Sequence, residues 1–111
     1  MPDFIVNARA DPLLHDGQLS DVIECGEAYL AAGATTVFVL GSQAGGGISR
    51  SEIMKHTRVV GGRLNVSREL DGGNLTVTGL ASTGVAWISL GPQLQFIAMQ
   101  ALTDAAKVLE G

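Results

Sequence analysis

Residues 35–40 read Thr-Thr-Val-Phe-Val-Leu, a run of β-branched and apolar side chains that predicts a buried strand. On its N-terminal side, apolar residues recur every three or four positions from Leu19 to Ala32, which predicts an amphipathic helix. Gly33 follows directly and suits the left-handed C-terminal cap of that helix. On the C-terminal side, the glycine-rich segment 41–47 predicts a loop. Residues 19–47 are therefore predicted to form a helix, a turn, a strand and a loop in that order.

The same alternation extends along the whole chain. Apolar runs predict four strands, at residues 4–8, 35–40, 63–67 and 85–90. Helices are predicted at residues 19–32, from Ser49 or Ser51 to about 57, at 75–81, and from Pro92 to the C-terminus. Segment 75–81 also contains strand-forming residues, and its place in the alternation favours the helix. Strands that alternate with helices predict a parallel sheet in an α/β fold, with its apolar strands buried on both faces.

Composition restricts the class of protein. The chain has 111 residues, 46% of them hydrophobic, and a formal net charge of -4, which predicts one globular unit over 1–111. Its seven Lys and Arg residues are scattered, which argues against a nucleic-acid partner. No apolar stretch approaches the roughly 18 residues of a membrane span, and the first residues do not resemble a signal peptide. A single cysteine, Cys25, cannot form an internal disulfide. We expect a cytoplasmic protein.

A family resemblance rests on several stretches in order. The most specific is Asn7-Ala8-Arg9-x-Asp11 at the end of the first strand, followed by Gly17 and by Ala31-Ala32-Gly33-Ala34 at the helix end. Gly62-Arg63-Leu64-Asn65-Val66 and Ile88-Ser89-Leu90-Gly91-Pro92 follow in the expected order. Together these stretches resemble the phosphoenolpyruvate mutase/isocitrate lyase superfamily over nearly the whole chain.

The resemblance implies a barrel enzyme, of which this chain matches one half. Members are (β/α)8 barrels that make or break C–C or P–C bonds of small oxo- and hydroxy-acids with Mg²⁺. A complete barrel needs about 250 residues, and the match corresponds to units five to eight. The expected fold is a parallel (βα)4 half of a TIM barrel. The family's acidic Mg²⁺ ligands and its Cys-Gly-His catalytic loop belong to the first half, so the resemblance implies Mg²⁺ with ligands outside this chain.

Arg9 is the first candidate site residue. It stands at the C-terminal end of a predicted strand, where active sites of this fold are built. A guanidinium group binds a carboxylate or phosphonate through two parallel hydrogen bonds, and the resemblance makes Arg9 the arginine that binds the substrate anion. The alternative is a structural salt bridge, with Asp11 as the nearest partner.

Three polar residues at the ends of the last two strands are further candidates for substrate binding: Asn65, Ser67 and Ser89. Loops after the last strands of such barrels often hold an anion. Asn65 matches a polar residue of many relatives, and Ser67 matches the Asn-x-Ser pattern of the lyases, although Arg68 and Glu69 then depart from it. The alternative is that these groups cap strand and helix ends.

The remaining candidates have simpler interpretations. Gly45–Gly47 could form a phosphate-binding nest, but without a P-loop pattern a loop is favoured. His15 and His56 lack companions at metal-ligand spacing, and we expect both on the solvated surface. Asp11 is expected to orient Arg9 or to close the loop rather than to bind a metal, and Cys25 is expected to be a small buried hydrophobe.

Three functions remain open. The chain is the C-terminal half of a lyase-like or mutase-like enzyme, inactive alone; or a non-enzymatic half-barrel that associates with itself and binds small carboxylates or phosphates; or, more weakly, a flavodoxin-like phosphate-binding domain. The unpaired sheet edges of a half-barrel and an apolar terminal helix predict a homo-oligomer or a complementing half-barrel partner.

Overall fold

Four short strands form one parallel sheet in the computed structural model, which describes residues 3–15, 17–40, 48–68 and 76–111. The strands are β1 (Asn7–Ala10), β2 (Thr36–Val39), β3 (Leu64–Ser67) and β4 (Trp87–Ser89). Their order across the sheet is β1-β2-β3-β4, the same as along the chain. This order confirms the expected (βα)4 arrangement. It also argues against the flavodoxin-like alternative, whose sheet places the second strand at the edge before the first.

An α-helix follows each strand. The helices are α1 (Leu19–Ala31), α2 (Arg50–Val59), α3 (Val77–Ala81) and α4 (Gln93–Glu110), and a 3-10 turn (Pro12–His15) precedes α1. Helix α1 begins at Leu19, where the sequence predicted it. The Asp21 carboxylate caps this end, because it accepts a hydrogen bond of 2.9 Å from the backbone N–H of Gln18. Gly33 lies just past the end of α1 with a φ of +108°, a conformation that favours glycine.

One face of the sheet is apolar and lies under the helices. Its strand residues are almost completely inaccessible to solvent: Ala10, Val37, Val39, Leu64 and Val66. The helices α1, α2 and α3 contribute Val22, Ile53 and Leu80 to the same cluster. Cys25, which was expected to be buried, is half-buried and packs against the edge of this cluster. The core is therefore a layer between the sheet and the helices.

The prediction that the strands are buried on both faces is wrong. Residues alternate between the two faces of a strand, and only the helix side is uniformly covered. On the other side, Phe38 is half-buried and Trp87 is 47% exposed. The first strand also begins at Asn7 rather than at residue 4, and Phe4 is 66% exposed at the open edge of the sheet.

His56 is buried rather than solvated, which contradicts the prediction for this residue. Its side chain has no accessible surface, and neither ring nitrogen has a hydrogen-bond partner among the described residues. The ring fills the space that Gly26 leaves on α1, because a Cβ atom at position 26 would lie 3.0 Å from His56 Nε2. Removal from water disfavours the imidazolium form, so burial lowers the pKa of His56 below its ordinary value. His15, in contrast, is exposed as predicted.

The terminal helix α4 has no buried residue. Its apolar side chains are more than half exposed: Leu94, Phe96, Ile97, Met99, Leu102, Val108 and Leu109. Such a stripe on a helix normally packs against another element. In the described part of the chain, no helix has the length and apolar character needed to cross a bilayer.

Candidate functional site

The strand register brings the candidate residues to one face of the sheet. Arg9 pairs with Phe38 of β2, Phe38 with Asn65 of β3, and Asn65 with Trp87 of β4. Paired residues of parallel strands project to the same side, so all four lie on the face opposite the apolar core. Adjacent strands are about 4.8 Å apart, which places the backbones of Arg9 and Asn65 about 10 Å from each other.

Polar side chains continue this face toward the carboxyl ends of the strands. Ser67 lies two residues beyond Asn65 on β3 and pairs with Ser89 of β4. At the opposite end of the same face, the Thr36 hydroxyl donates a 2.8 Å hydrogen bond to Asn7 Oδ1. This polar face corresponds to the interior of a closed barrel. In barrels, the carboxyl ends of the strands are where active sites are built.

Arg9 forms an ion pair with Asp11. Its Nε donates to Asp11 Oδ1 and Oδ2 at 2.8 and 3.0 Å, and its Nη2 donates to Oδ2 at 2.7 Å. The hydrogen bonds and the negative charge of Asp11 hold the pKa of Arg9 above its ordinary value. Nη1 makes no hydrogen bond with a described residue. The pair is the salt bridge with Asp11 that the sequence left as the alternative for Arg9, and it leaves one edge of the exposed guanidinium group without a partner among the described residues.

Asn65 and Ser89 are brought into direct contact. The Ser89 hydroxyl donates a hydrogen bond of 2.9 Å to Asn65 Oδ1 across two adjacent strands. Asn65 is only 1% exposed although it lies on the face opposite the core. Ser67 is half-buried at the end of the same strand. Three of the four candidate residues are therefore neighbours on β3 and β4, and Arg9 lies on the other side of β2.

Sequence reasoning missed Gln93, which follows β4 in the first turn of α4. Its Nε2 donates to the carbonyl oxygen of Arg68 at 2.5 Å and to that of Leu90 at 2.7 Å. These two carbonyls belong to the residues directly after β3 and β4. The only signal in the sequence is a polar side chain placed directly after the Gly91-Pro92 strand end.

The described residues do not make a magnesium site by themselves. Nowhere in the described ranges do three or more His, Cys, Asp or Glu side chains cluster as metal ligands would. Asp11 follows β1 on the chain, and both of its oxygens accept hydrogen bonds from Arg9. Mg²⁺ prefers carboxylate oxygens that are free to coordinate it. The glycine run Gly45–Gly47, considered as a phosphate nest, lies outside the described residues.

With this geometry established, comparison with known proteins identifies the family. The family model described as phosphoenolpyruvate phosphomutase matches residues 1–110. The chain belongs to the phosphoenolpyruvate phosphomutase family. This confirms the resemblance drawn from the strand ends at Arg9 and Asn65. Enzymes of this family generally use Mg²⁺.

Two solved structures from Burkholderia cenocepacia J2315 share the fold of the chain. One is described as a "putative lyase/mutase" and is 34% identical, with a TM-score of 0.82 over 96% of this chain. The other is described as a "putative phosphonomutase" and is 31% identical, with a TM-score of 0.75 over 95% of this chain. The match spans only 37% and 42% of those proteins. Among the curated proteins, none matches the chain.

Proposed function

We propose that this chain supplies units five to eight of a phosphoenolpyruvate mutase/isocitrate lyase-like barrel. The barrel would act on C–C or P–C bonds of small anionic oxo- or hydroxy-acids, in the cytoplasm, and this half would be inactive alone. The observation that carries the proposal is the shared level of Arg9 and Asn65 on the polar face, with Ser67 and Ser89 beyond them at the carboxyl ends of β3 and β4. In this family fold, substrates are bound at that end.

Three of the four candidate residues contact the substrate in the proposed site. Arg9 neutralises the anionic end of the substrate through its free guanidinium edge, while Asp11 holds the other edge. Asn65 and Ser67 donate hydrogen bonds to substrate oxygens from β3, about 10 Å away across β2. Such a distance suits a small acid with oxygens at both ends. Because the carboxylates described here do not fit Mg²⁺, its ligands would come from the other half of the barrel.

A non-enzymatic role is the second candidate. Asp11 is committed to Arg9, and the described residues hold no cluster of metal ligands. A half-barrel with this polar face could bind small carboxylates or phosphates without turning them over. The two functions differ in whether the protein acquires lyase or mutase activity when the missing half of the barrel is present.

We expect this chain to bind oxalate but to have no catalytic activity by itself. The anion should perturb the NMR signals of Arg9, Asn65 and Ser67, because all three residues lie on the polar face. The purified chain should show no Mg²⁺-dependent turnover of isocitrate-like or phosphonopyruvate-like substrates, since its described residues hold no cluster of carboxylates for the cation. Sodium chloride at equal ionic strength is the control. Turnover by the chain alone, or shifts confined to other surfaces, would contradict the proposal.

The open surfaces of the half-barrel support self-association as part of the proposal. The edge strands β1 and β4 each have one neighbour in the sheet, and unpaired strand edges are templates for further pairing. The apolar stripe of α4 is exposed, with Leu102 at 70% and Leu109 at 89%. A second copy of the chain would cover both kinds of surface, and the missing half of a barrel is the alternative occupant.

Light scattering at micromolar concentration should therefore give a mass above the 11.5 kDa of one chain. Leu102→Lys should shift the protein toward the single-chain mass, because it places a charge in the apolar stripe of α4. Gln100→Lys is the matched control, since Gln100 bonds Asp104 on the polar side of the same helix. A folded, monodisperse species of 11.5 kDa for the unmodified chain would show that this surface does not drive association.

A further inference from the structure

The Asn65 amide is hydrogen-bonded through its oxygen to the neighbouring strand. The Ser89 hydroxyl donates to Asn65 Oδ1 at 2.9 Å, and Asn65 is 1% exposed. An asparagine amide accepts hydrogen bonds at Oδ1 and donates them at Nδ2. With Oδ1 engaged by Ser89, the two Nδ2 donors are the groups of this buried amide that remain for another partner.

A second set of contacts holds the two strand ends together. Gln93 Nε2 bridges the carbonyl oxygens of Arg68 and Leu90, and the Arg68 N–H donates to the Ser89 carbonyl at 2.9 Å. These bonds join Arg68, directly after β3, to Ser89 at the end of β4 and to Leu90 directly after it. The strand that carries Asn65 and the strand that carries Ser89 are therefore tied just beyond the point where the two side chains meet.

We propose that Ser89 and Gln93 are positioning residues for Asn65. Ser89 selects the amide orientation that presents a donor, and Gln93 keeps β3 and β4 in the register that this contact requires. The ligand group that fits is an oxygen that only accepts hydrogen bonds, as in a carboxylate or phosphonate, whereas a protonated amine would meet a donor. This inference rests on the proposed anion site, and it changes the expected role of Ser89 from substrate contact to support of Asn65.

The test uses the intact chain with sodium oxalate as the probe. Ser89→Ala should weaken oxalate binding roughly 5- to 10-fold, about the effect of one lost hydrogen bond, and should shift the side-chain NH₂ signals of Asn65 even without oxalate. Ser89→Thr keeps the hydroxyl and should preserve both. Gln93→Glu keeps the size of the side chain but removes the donor, and it should also weaken binding. Ser20→Ala, an exposed serine on α1, is the matched control.

The outcomes separate this inference from the proposed function. If the unmodified chain does not bind oxalate, the anion site is wrong, and the Asn65 signals still report whether Ser89 sets the amide. If Ser89→Ala leaves both the Asn65 signals and the oxalate affinity unchanged, the positioning role is wrong. Equal losses in Ser89→Ala and Ser89→Thr would also overturn it, because the hydroxyl would then not be the group that matters.

Discussion

Arg9→Ala should weaken the binding of oxalate by roughly 10- to 100-fold, the usual effect of losing hydrogen bonds to a charged group. The side chain is 56% exposed and contributes nothing to the core, so the fold should be unchanged. Arg9→Lys retains the charge but not the planar fork, and it should recover only part of the affinity. Isothermal titration calorimetry with oxalate and with a phosphonate measures the affinity of the unmodified chain and of the two variants.

The matched control for this prediction is Arg58→Ala. It removes the same charge from an exposed position in α2, away from the polar face. If Arg58→Ala weakens oxalate binding as much as Arg9→Ala does, the effect is one of net charge and not of a site. Unchanged affinity in Arg9→Ala would mean that the ion pair with Asp11 is the whole role of Arg9.

A second large effect is expected at His56, whose burial makes the stability of the fold sensitive to acid. The unfolded chain takes up a proton near the ordinary histidine pKa of 6.5, whereas burial lowers the pKa of His56 in the folded chain. Between these two pKa values the unfolded state binds more protons. The free energy of unfolding should therefore be constant above about pH 6.5 and fall below it, by up to about 1.4 kcal/mol per pH unit, until the folded pKa is reached.

Urea denaturation from pH 8 to pH 5 measures this slope, and His56→Leu should remove it. Leucine fills the position beside Gly26 without the two ring nitrogens that lack partners. His15→Gln is the matched control, because His15 is the only other histidine and is exposed. The same loss of stability in His56→Leu as in the unmodified chain would assign the acid sensitivity to carboxylates instead.

The burial of His56 could have been predicted from spacing. Ile53, His56 and Val60 are all buried, and their spacing of three and four residues marks the inward face of α2. Residue type alone favours the surface for His56, whereas its position on α2 places it inside. The missing information was the partner: Gly26 on α1 provides space for a ring that a larger residue would exclude.

The element order was predictable because each element has a strong local signal. Runs of β-branched residues predicted β2, and three- and four-residue periodicity predicted α1 to its observed ends within one residue. The placement of β1 was less accurate, because Phe4 and Ile5 have the composition of a buried strand but lie at an edge that no described element covers. Composition indicates which secondary structure a segment can form, but it does not indicate which other elements pack against that segment.

The candidate site was predictable in its residue types but not in its contacts. Polar residues after apolar strands indicated Arg9, Asn65, Ser67 and Ser89. The hydrogen bond between Ser89 and Asn65 depends on the register of β3 and β4, which is set by the packing of the whole sheet. The role of Gln93 depends on two backbone carbonyls, and carbonyls have no signature in a sequence.

The matching of strand order in space and in sequence has an evolutionary consequence. Each strand of β1-β2-β3-β4 pairs only with strands adjacent to it in the chain. Adding or removing one terminal unit of such an open sheet would therefore make or break a single strand pairing and leave the others intact. Duplication and recombination can enlarge a fold of this kind one module at a time, and its polar face grows with it.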